Sequence, residues 1–280
     1  MPDELMLRAD RLHAILAGYD GLLVAFSGGA DSALLLAAAA RALGADQVVA
    51  ATACSPSLPR EELAAAGAFA ADLGLRHQTP RTQEMIRPGY RANTGNRCYF
   101  CKAELLDVLA PVAARLGLAA VATGTNADDA AAGFRPGIRA ARERRAVTPL
   151  LDAGLRKADV RELSRRWGLS TWDKPAAACL SSRIAYGVPI SPAGLHRVHR
   201  AERAVRSALQ SSGHQVRNVR VRDLGSDGAR VEVDADLVPV LQTRPDLLAG
   251  VAGFDDVSVD PRGFRSGSMN ELLADPERYR

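Results

Sequence analysis

Leu22-Leu23-Val24-Ala25-Phe26-Ser27-Gly28-Gly29-Ala30-Asp31-Ser32-Ala33-Leu34-Leu35-Leu36-Ala37 decides the fold. An apolar run meets a turn of small residues and then an Ala/Leu run with no breaker before Gly44. That order predicts a buried strand, a tight turn and a helix. The paired glycines let the backbone bend sharply and approach a ligand closely. The first amides of the helix lack intrahelical acceptors and carry the positive end of its dipole, so the turn is a seat for phosphate. Ser27 and Ser32 add hydroxyls, and Asp31 supplies carboxylate oxygens of the kind that hold magnesium against a polyphosphate.

Outward from this stretch the strand–helix alternation continues. Residues 3–18 form an amphipathic pattern with Leu5, Leu12, Ile15 and Leu16 on one side. Strands are predicted at 47–53, 75–79 and 119–123, and helices at 59–73, 101–116 and 157–167. Alternation over residues 20–170 predicts an α/β domain whose parallel sheet is covered on both faces. Its ligands belong outside the carboxyl ends of the strands, where Ser27, Cys54 and Gly124–Asp129 follow predicted strands. An irregular link, Pro175 to Pro189, leads to a smaller α+β domain. There a helix over 191–211 is capped by Ser191, strands fall at 216–223 and 229–234, a helix at 235–248 and a last strand at 254–259. The expected domains are 1–184 and 185–280.

The 280 residues carry a net charge of +4, with 47% apolar and 24% charged residues, which describes a globular chain. No apolar run is long enough to cross a bilayer, and the N-terminus has no basic-then-apolar signal, so a cytoplasmic protein without a membrane partner is expected. Arginines crowd 135–145 and 197–222, which suits small anions as well as nucleic acid. Only 5% of residues are aromatic, which argues against a nucleic-acid platform.

Cys98 and Cys101 stand in Arg97-Cys98-Tyr99-Phe100-Cys101-Lys102, at a spacing shared by zinc sites, iron–sulfur clusters and dithiol redox pairs. Cys179 is a third thiol, in the link. Three thiolates with one open position suit a reactive cluster, whereas a closed zinc site would recruit Cys54 as a fourth ligand. The plain alternative for Cys54 is a buried apolar residue at a strand end.

The glycine turn lacks the Gly-Lys-Ser/Thr ending of a Walker loop and resembles the Ser-Gly-Gly-x-Asp-Ser signature of the ATP pyrophosphatases, the PP-loop family. Further motifs are Asn96-Arg97-Cys98-Tyr99-Phe100-Cys101-Lys102, Thr123-Gly124-Thr125-Asn126-Ala127-Asp128-Asp129, Phe134-Arg135-Pro136-Gly137, Trp172-Asp173-Lys174-Pro175, Cys179-Leu180-Ser181-Ser182-Arg183, Arg220-Val221-Arg222 and Gly263-Phe264-Arg265-Ser266-Gly267-Ser268-Met269-Asn270. With the turn, they resemble one PP-loop branch, the LarE-type ATP-dependent sulfur transferases that mature the nickel-pincer cofactor of lactate racemase.

The resemblance, over about residues 20–270, implies adenylation of the carboxylates of pyridinium-3,5-biscarboxylic acid mononucleotide and their conversion to thiocarboxylates. It implies ATP and Mg2+ as cofactors, with Ser27, Gly28, Gly29, Asp31, Ser32, Gly124, Asn126, Asp128 and Asp129 around the nucleotide. In the version with three cysteines, Cys98, Cys101 and Cys179 bind a [4Fe-4S] cluster that carries the sulfide. In the other version the cysteine at position 179 gives up its own sulfur and ends as dehydroalanine. The expected catalytic residues are Asp31, Lys102, Cys179 and Arg183, with Arg220 and Arg222 on the substrate phosphate. A hexamer is implied, the sulfur donor is not.

Plainer readings stand beside these. Lys102 is also a solvated helix lysine, Asp128 and Asp129 also helix caps, Trp172 also core packing, and Arg220, Arg222 and Glu202 also surface charges. At the level of function, the alternatives are an amidotransferase-type ligase, a tRNA thiolase and a non-enzymatic ATP- or zinc-binding domain.

Overall fold

A computed structural model describes residues 3–133, 135–175, 179–265 and 267–273. Phe134, Ala176–Ala178 and Ser266, quoted within the motifs and link above, lie outside the described residues. The chain divides into two compact units. One comprises the chain up to Glu84 together with residues from Cys98 to the Pro175 segment, the other Met85–Arg97 together with residues from Cys179 onward.

The chain runs through α1 (Glu4–Ala17), β1 (Leu22–Ala25), α2 (Ala30–Leu43), β2 (Val48–Ala51), α3 (Arg60–Asp72), β3 (Arg76–Gln78), α4 (Pro88–Arg91), α5 (Arg97–Arg115) and β4 (Ala120–Thr123). It continues through α6 (Ala127–Ala131), α7 (Pro136–Glu143), α8 (Pro149–Asp152), α9 (Lys157–Arg166), α10 (Pro192–Ser211), β5 (Val219–Gly225), β6 (Gly228–Val233), α11 (Val238–Thr243) and β7 (Asp256–Val259).

In the first unit β1–β4 form a parallel sheet in the order β3-β2-β1-β4. Every residue of β1 and β2 is buried, as strands covered on both faces must be. Period-two alternation splits them between two cores. Leu22, Val24, Val48 and Ala50 pack with the leucines of α1, α2 and α9, whereas Leu23, Ala25, Val49 and Ala51 pack with Leu106, Leu109 and Val112 of α5. The α/β parallel-sheet expectation holds. Strand order reverses between β1 and β4, so the crevice outside their carboxyl ends is the topological switch point.

The second unit carries a sheet in the order β5-β6-β7, antiparallel then parallel. Ser226 and Asp227 both take positive φ in the β5–β6 turn, the backbone that a two-residue hairpin requires. Ser191 caps α10 through its side chain, as expected. The single helix expected over 235–248 is instead a 3-10 turn, α11 and a second 3-10 turn. Pro239 suits the first helical turn, but Pro245 has no N–H to carry a helix forward and its ring disfavours helix in the residue before it.

Candidate active site

In the first unit the glycine turn is braced from within. Ser32 Oγ donates to the Gly29 carbonyl at 3.1 Å and accepts from the Ser27 amide at 3.3 Å and the Ser27 hydroxyl at 3.1 Å. Gly28 takes φ +71°, the left-handed backbone that glycine enters without strain. Gly29 caps α2 with no side chain on the cap, which leaves its first amides facing the turn. Gly124, just after β4, lies so close that an added Cβ would sit 2.8 Å from the Ser32 nitrogen.

Asp31 is held from two sides. Buried Asn126 donates to its Oδ1 at 3.1 Å, and the Lys157 ammonium meets its Oδ2 at 2.5 Å. Lys174 donates to the Gly28 carbonyl at 3.0 Å and to Glu62 at 2.7 Å. Two cations, Lys157 and Lys174, and two carboxylates, Asp31 and Glu62, thus surround one turn. Asp129 and Asn126 form a reciprocal capping box on α6, and Asp128 accepts from the Lys157 amide at 2.8 Å, so both aspartates serve as helix caps.

Lys102 lies on the second turn of α5, one turn after Cys98. Burial pushes its pKa below the ordinary lysine value, against the opposing pull of Cys101 and Asp129. The four cysteines are thiols without disulfides. Cys98 is exposed, and Cys54, Cys101 and Cys179 are partly buried. Cys98 and Cys101 belong to the first unit and Cys179 to the second. Among the described residues no three His, Cys, Asp or Glu are grouped to hold a metal ion.

In the second unit Cys179 caps the 3-10 turn Leu180–Arg183. Its carbonyl accepts from Ser182 Oγ at 2.8 Å and Arg183 Nη1 at 3.1 Å. Buried Arg183 also clasps both oxygens of Glu202, at 2.8 and 3.2 Å. Arg220 and Arg222 are buried rather than solvated on a strand. Arg222 makes two contacts to Glu232, at 3.0 and 2.7 Å, and one each to Ser268 and the Ser182 carbonyl. Arg220 stacks on Phe264 with 5.1 Å to the ring centroid, and burial followed by the charge of Arg183 lowers its pKa to about 10. The Glu202 carboxylate opposes that shift, so Arg220 sits among like charges with a carboxylate close by, a setting that suits an anion.

A family model described as NAD synthase matches residues 10–100, which include β1, the glycine turn and α2. An uncharacterized protein of Synechocystis sp. is 41% identical over 276 residues, covering 95% of this chain and 98% of that protein. The pyridinium-3,5-bisthiocarboxylic acid mononucleotide synthase of Lactiplantibacillus plantarum is 34% identical over 265 residues, covering 94% of this chain and 93% of the synthase. The chain belongs to the LarE-type sulfur transferase family of PP-loop proteins. It is therefore an ATP-using, sulfur-transferring enzyme. An uncharacterized protein of Methanocaldococcus jannaschii is 26% identical over 176 residues.

In this LarE-type chain the structure brings Ser27, Gly28, Gly29, Asp31, Ser32, Gly124 and Asn126 together, and in the second unit Cys179, Arg183, Arg220 and Arg222 share one region with Glu202. Sequence reasoning missed Lys157, Lys174 and Glu62. Lys174 had a signal, since it stands in Trp172-Asp173-Lys174-Pro175, where attention went to the tryptophan. Trp172 itself is exposed, and its carbonyl accepts from Arg161.

Proposed function

We propose that this chain adenylates the carboxylates of pyridinium-3,5-biscarboxylic acid mononucleotide with ATP and converts them to thiocarboxylates. The observation that carries this reading is the glycine turn with Asp31 and Asn126 tied across the ends of β1 and β4. The relative from Lactiplantibacillus plantarum, named for the bisthiocarboxylic acid product, supports the substrate.

A carboxylate resists attack by sulfur because oxide is a hopeless leaving group. Adenylation joins a carboxylate oxygen to the α-phosphorus and expels pyrophosphate. The open amides at the start of α2, with Ser27 and Ser32, would bind the departing phosphates, and Lys102, Lys157 and Lys174 would supply positive charge. Asp31 would hold magnesium, which neutralises polyphosphate charge when bound. Sulfur then forms the C–S bond, the C–O bond to AMP breaks, and AMP leaves.

Cys98, Cys101 and Cys179 would hold the [4Fe-4S] cluster, a donor set whose soft thiolates suit iron. Such a cluster supplies sulfide for transfer when bound. Arg183 and Arg220 would take the substrate phosphate, with Arg222 fixing the strand beside them. The protein would work in the cytoplasm as a homo-oligomer, a hexamer on the family pattern, with no nucleic-acid partner.

Iron, zinc and sulfide analysis of oxygen-free protein, paired with product mass, tests the reading. About four irons per chain and ATP-dependent thiocarboxylate, with AMP released, are expected. A colourless protein that loses the mass of hydrogen sulfide after one turnover would assign the sulfur to Cys179 itself. AMP with no thiocarboxylate from either form would end the reading.

A further inference from the structure

We propose that Tyr90 and Asn93, which lie outside every quoted motif, and Arg97, which stands in one without an assigned role, are positioning residues for the Cys179 thiol. The inference rests on the sulfur-transfer reading for its chemical consequence, but its geometry stands by itself within the second unit.

Asn93 is fully buried, with φ +51°. Its Nδ2 lies within hydrogen-bond distance of three carbonyls, those of Ile184 at 3.3 Å, Ala185 at 2.8 Å and Val188 at 2.8 Å. Its Oδ1 accepts from Arg97 Nη1, and the same nitrogen donates to the Ser181 carbonyl at 2.9 Å. The Tyr90 hydroxyl bonds to Ser181 Oγ, and both side chains are buried. The main chain repeats the tie, since the Gly187 amide donates to the Asn93 carbonyl and the Ile190 amide to the Arg91 carbonyl.

Apart from the Arg97–Asn93 bond, which ties the two anchors to each other, every one of these bonds reaches the segment that begins at Cys179. Leu180–Arg183 is a single 3-10 turn, and a four-residue turn cannot hold its own cap rigid. Ser182 and Arg183 fix the Cys179 carbonyl from within the turn, and Tyr90, Asn93 and Arg97 fix the turn from outside. A nucleophile or ligand on such a turn reacts well only if its backbone is held, because small misplacements cost large factors in rate. Asn is among the few non-glycine residues that tolerate left-handed backbone, so one residue provides both the sharp bend and the bonds.

Full-length, iron-free chain tests this through the rate of Cys179 alkylation by iodoacetamide, read by peptide mass, with Cys54 as internal reference. Asn93→Gly keeps the left-handed backbone and deletes the side chain. Tyr90→Phe removes one hydroxyl and keeps the ring. In both, Cys179 alkylation should speed up about fivefold relative to Cys54. In the reconstituted enzyme, thiocarboxylate formed per AMP released should fall about tenfold for Asn93→Gly, a ratio that simple loss of folded protein would not move. If Asn93→Gly fails to fold, Tyr90→Phe carries the test. Unchanged Cys179 alkylation in the folded variant overturns the proposal. Faster alkylation together with a parent enzyme that makes no thiocarboxylate upholds the positioning and removes the sulfur-transfer reading.

Discussion

Lys102 holds its charge at a half-buried position, and partial loss of water there sets its pKa below the ordinary lysine value. The unfolded chain takes this proton more readily than the folded one, so charging Lys102 opposes folding at every pH below its folded pKa. The penalty vanishes as pH rises to 10.5, the ordinary lysine value. Lys102→Met should therefore raise the unfolding midpoint of the nucleotide-free protein at pH 7, with the gain shrinking toward pH 10. In the same variant pyrophosphate release should drop on the order of a hundredfold. Calorimetry at the two pH values with a pyrophosphate assay checks both. A variant less stable at pH 7 would show that the ammonium already has its counter-charge. At this scale the residues of the glycine turn, which the structure brings together, were legible in their motif, whereas Lys174 was passed over although it stands in one. Sequence was blind to Lys157, since a lysine opening a helix carries no mark of the carboxylate 126 residues away that it will meet.

The β5–β6 hairpin shows what spacing tells and what it omits. Arg220 and Arg222 are two apart on one strand, so their shared face was legible. Their partner was not, because register is set only when the strands pair. Glu232 sits directly opposite Arg220, yet its carboxylate bonds the diagonal neighbour Arg222 and accepts from Ser268. A fully buried carboxylate with those partners makes Arg222 a structural cation. Arg230 also meets Glu232, at 3.4 Å, so removing Arg222 weakens the compensation of that buried carboxylate without abolishing it, and the cost falls below the about 3–5 kcal/mol of a fully stranded charge. Arg222→Met should lower the thermal midpoint accordingly, and Arg222→Met with Glu232→Met should recover much of the loss. If Arg222→Met instead leaves the midpoint unchanged and raises KM for the pyridinium substrate, Arg222 is the phosphate anchor. The helix missed at 235–248 is a lesson of the same kind. Apolar periodicity ran through Pro239 and Pro245, and the backbone chemistry of Pro245 overrode it.

Alternating strand and helix patterns fixed the α/β sheet in advance, because its central strands β1 and β2 are covered on both faces and read as apolar runs, while the edge strand β3 is polar. The path of the chain between the units was not written that way. Residues 85–97 lie between β3 and β4 in sequence, yet they belong with the C-terminal unit. Their attachment is polar and local in geometry but distant in sequence, a class of contact that leaves no periodic trace. A cut between residues 184 and 185 would remove part of it, leaving the Asn93 side chain without the Ala185 and Val188 carbonyls and the Arg91 carbonyl without the Ile190 amide, while the bonds of Tyr90 and Arg97 to Ser181 stay within the fragment. The polar groups left unpaired at Asn93 and Arg91 would then favour local opening. A fragment of residues 1–184 should therefore retain slow amide exchange in β1, β2 and β4 but lose protection at Arg91–Asn93, where the intact chain keeps it. Hydrogen exchange read by mass spectrometry on fragment and full chain decides the matter. Equal protection of residues 88–97 in both would place that segment with the sheet of the first unit and the division of the chain near residue 184.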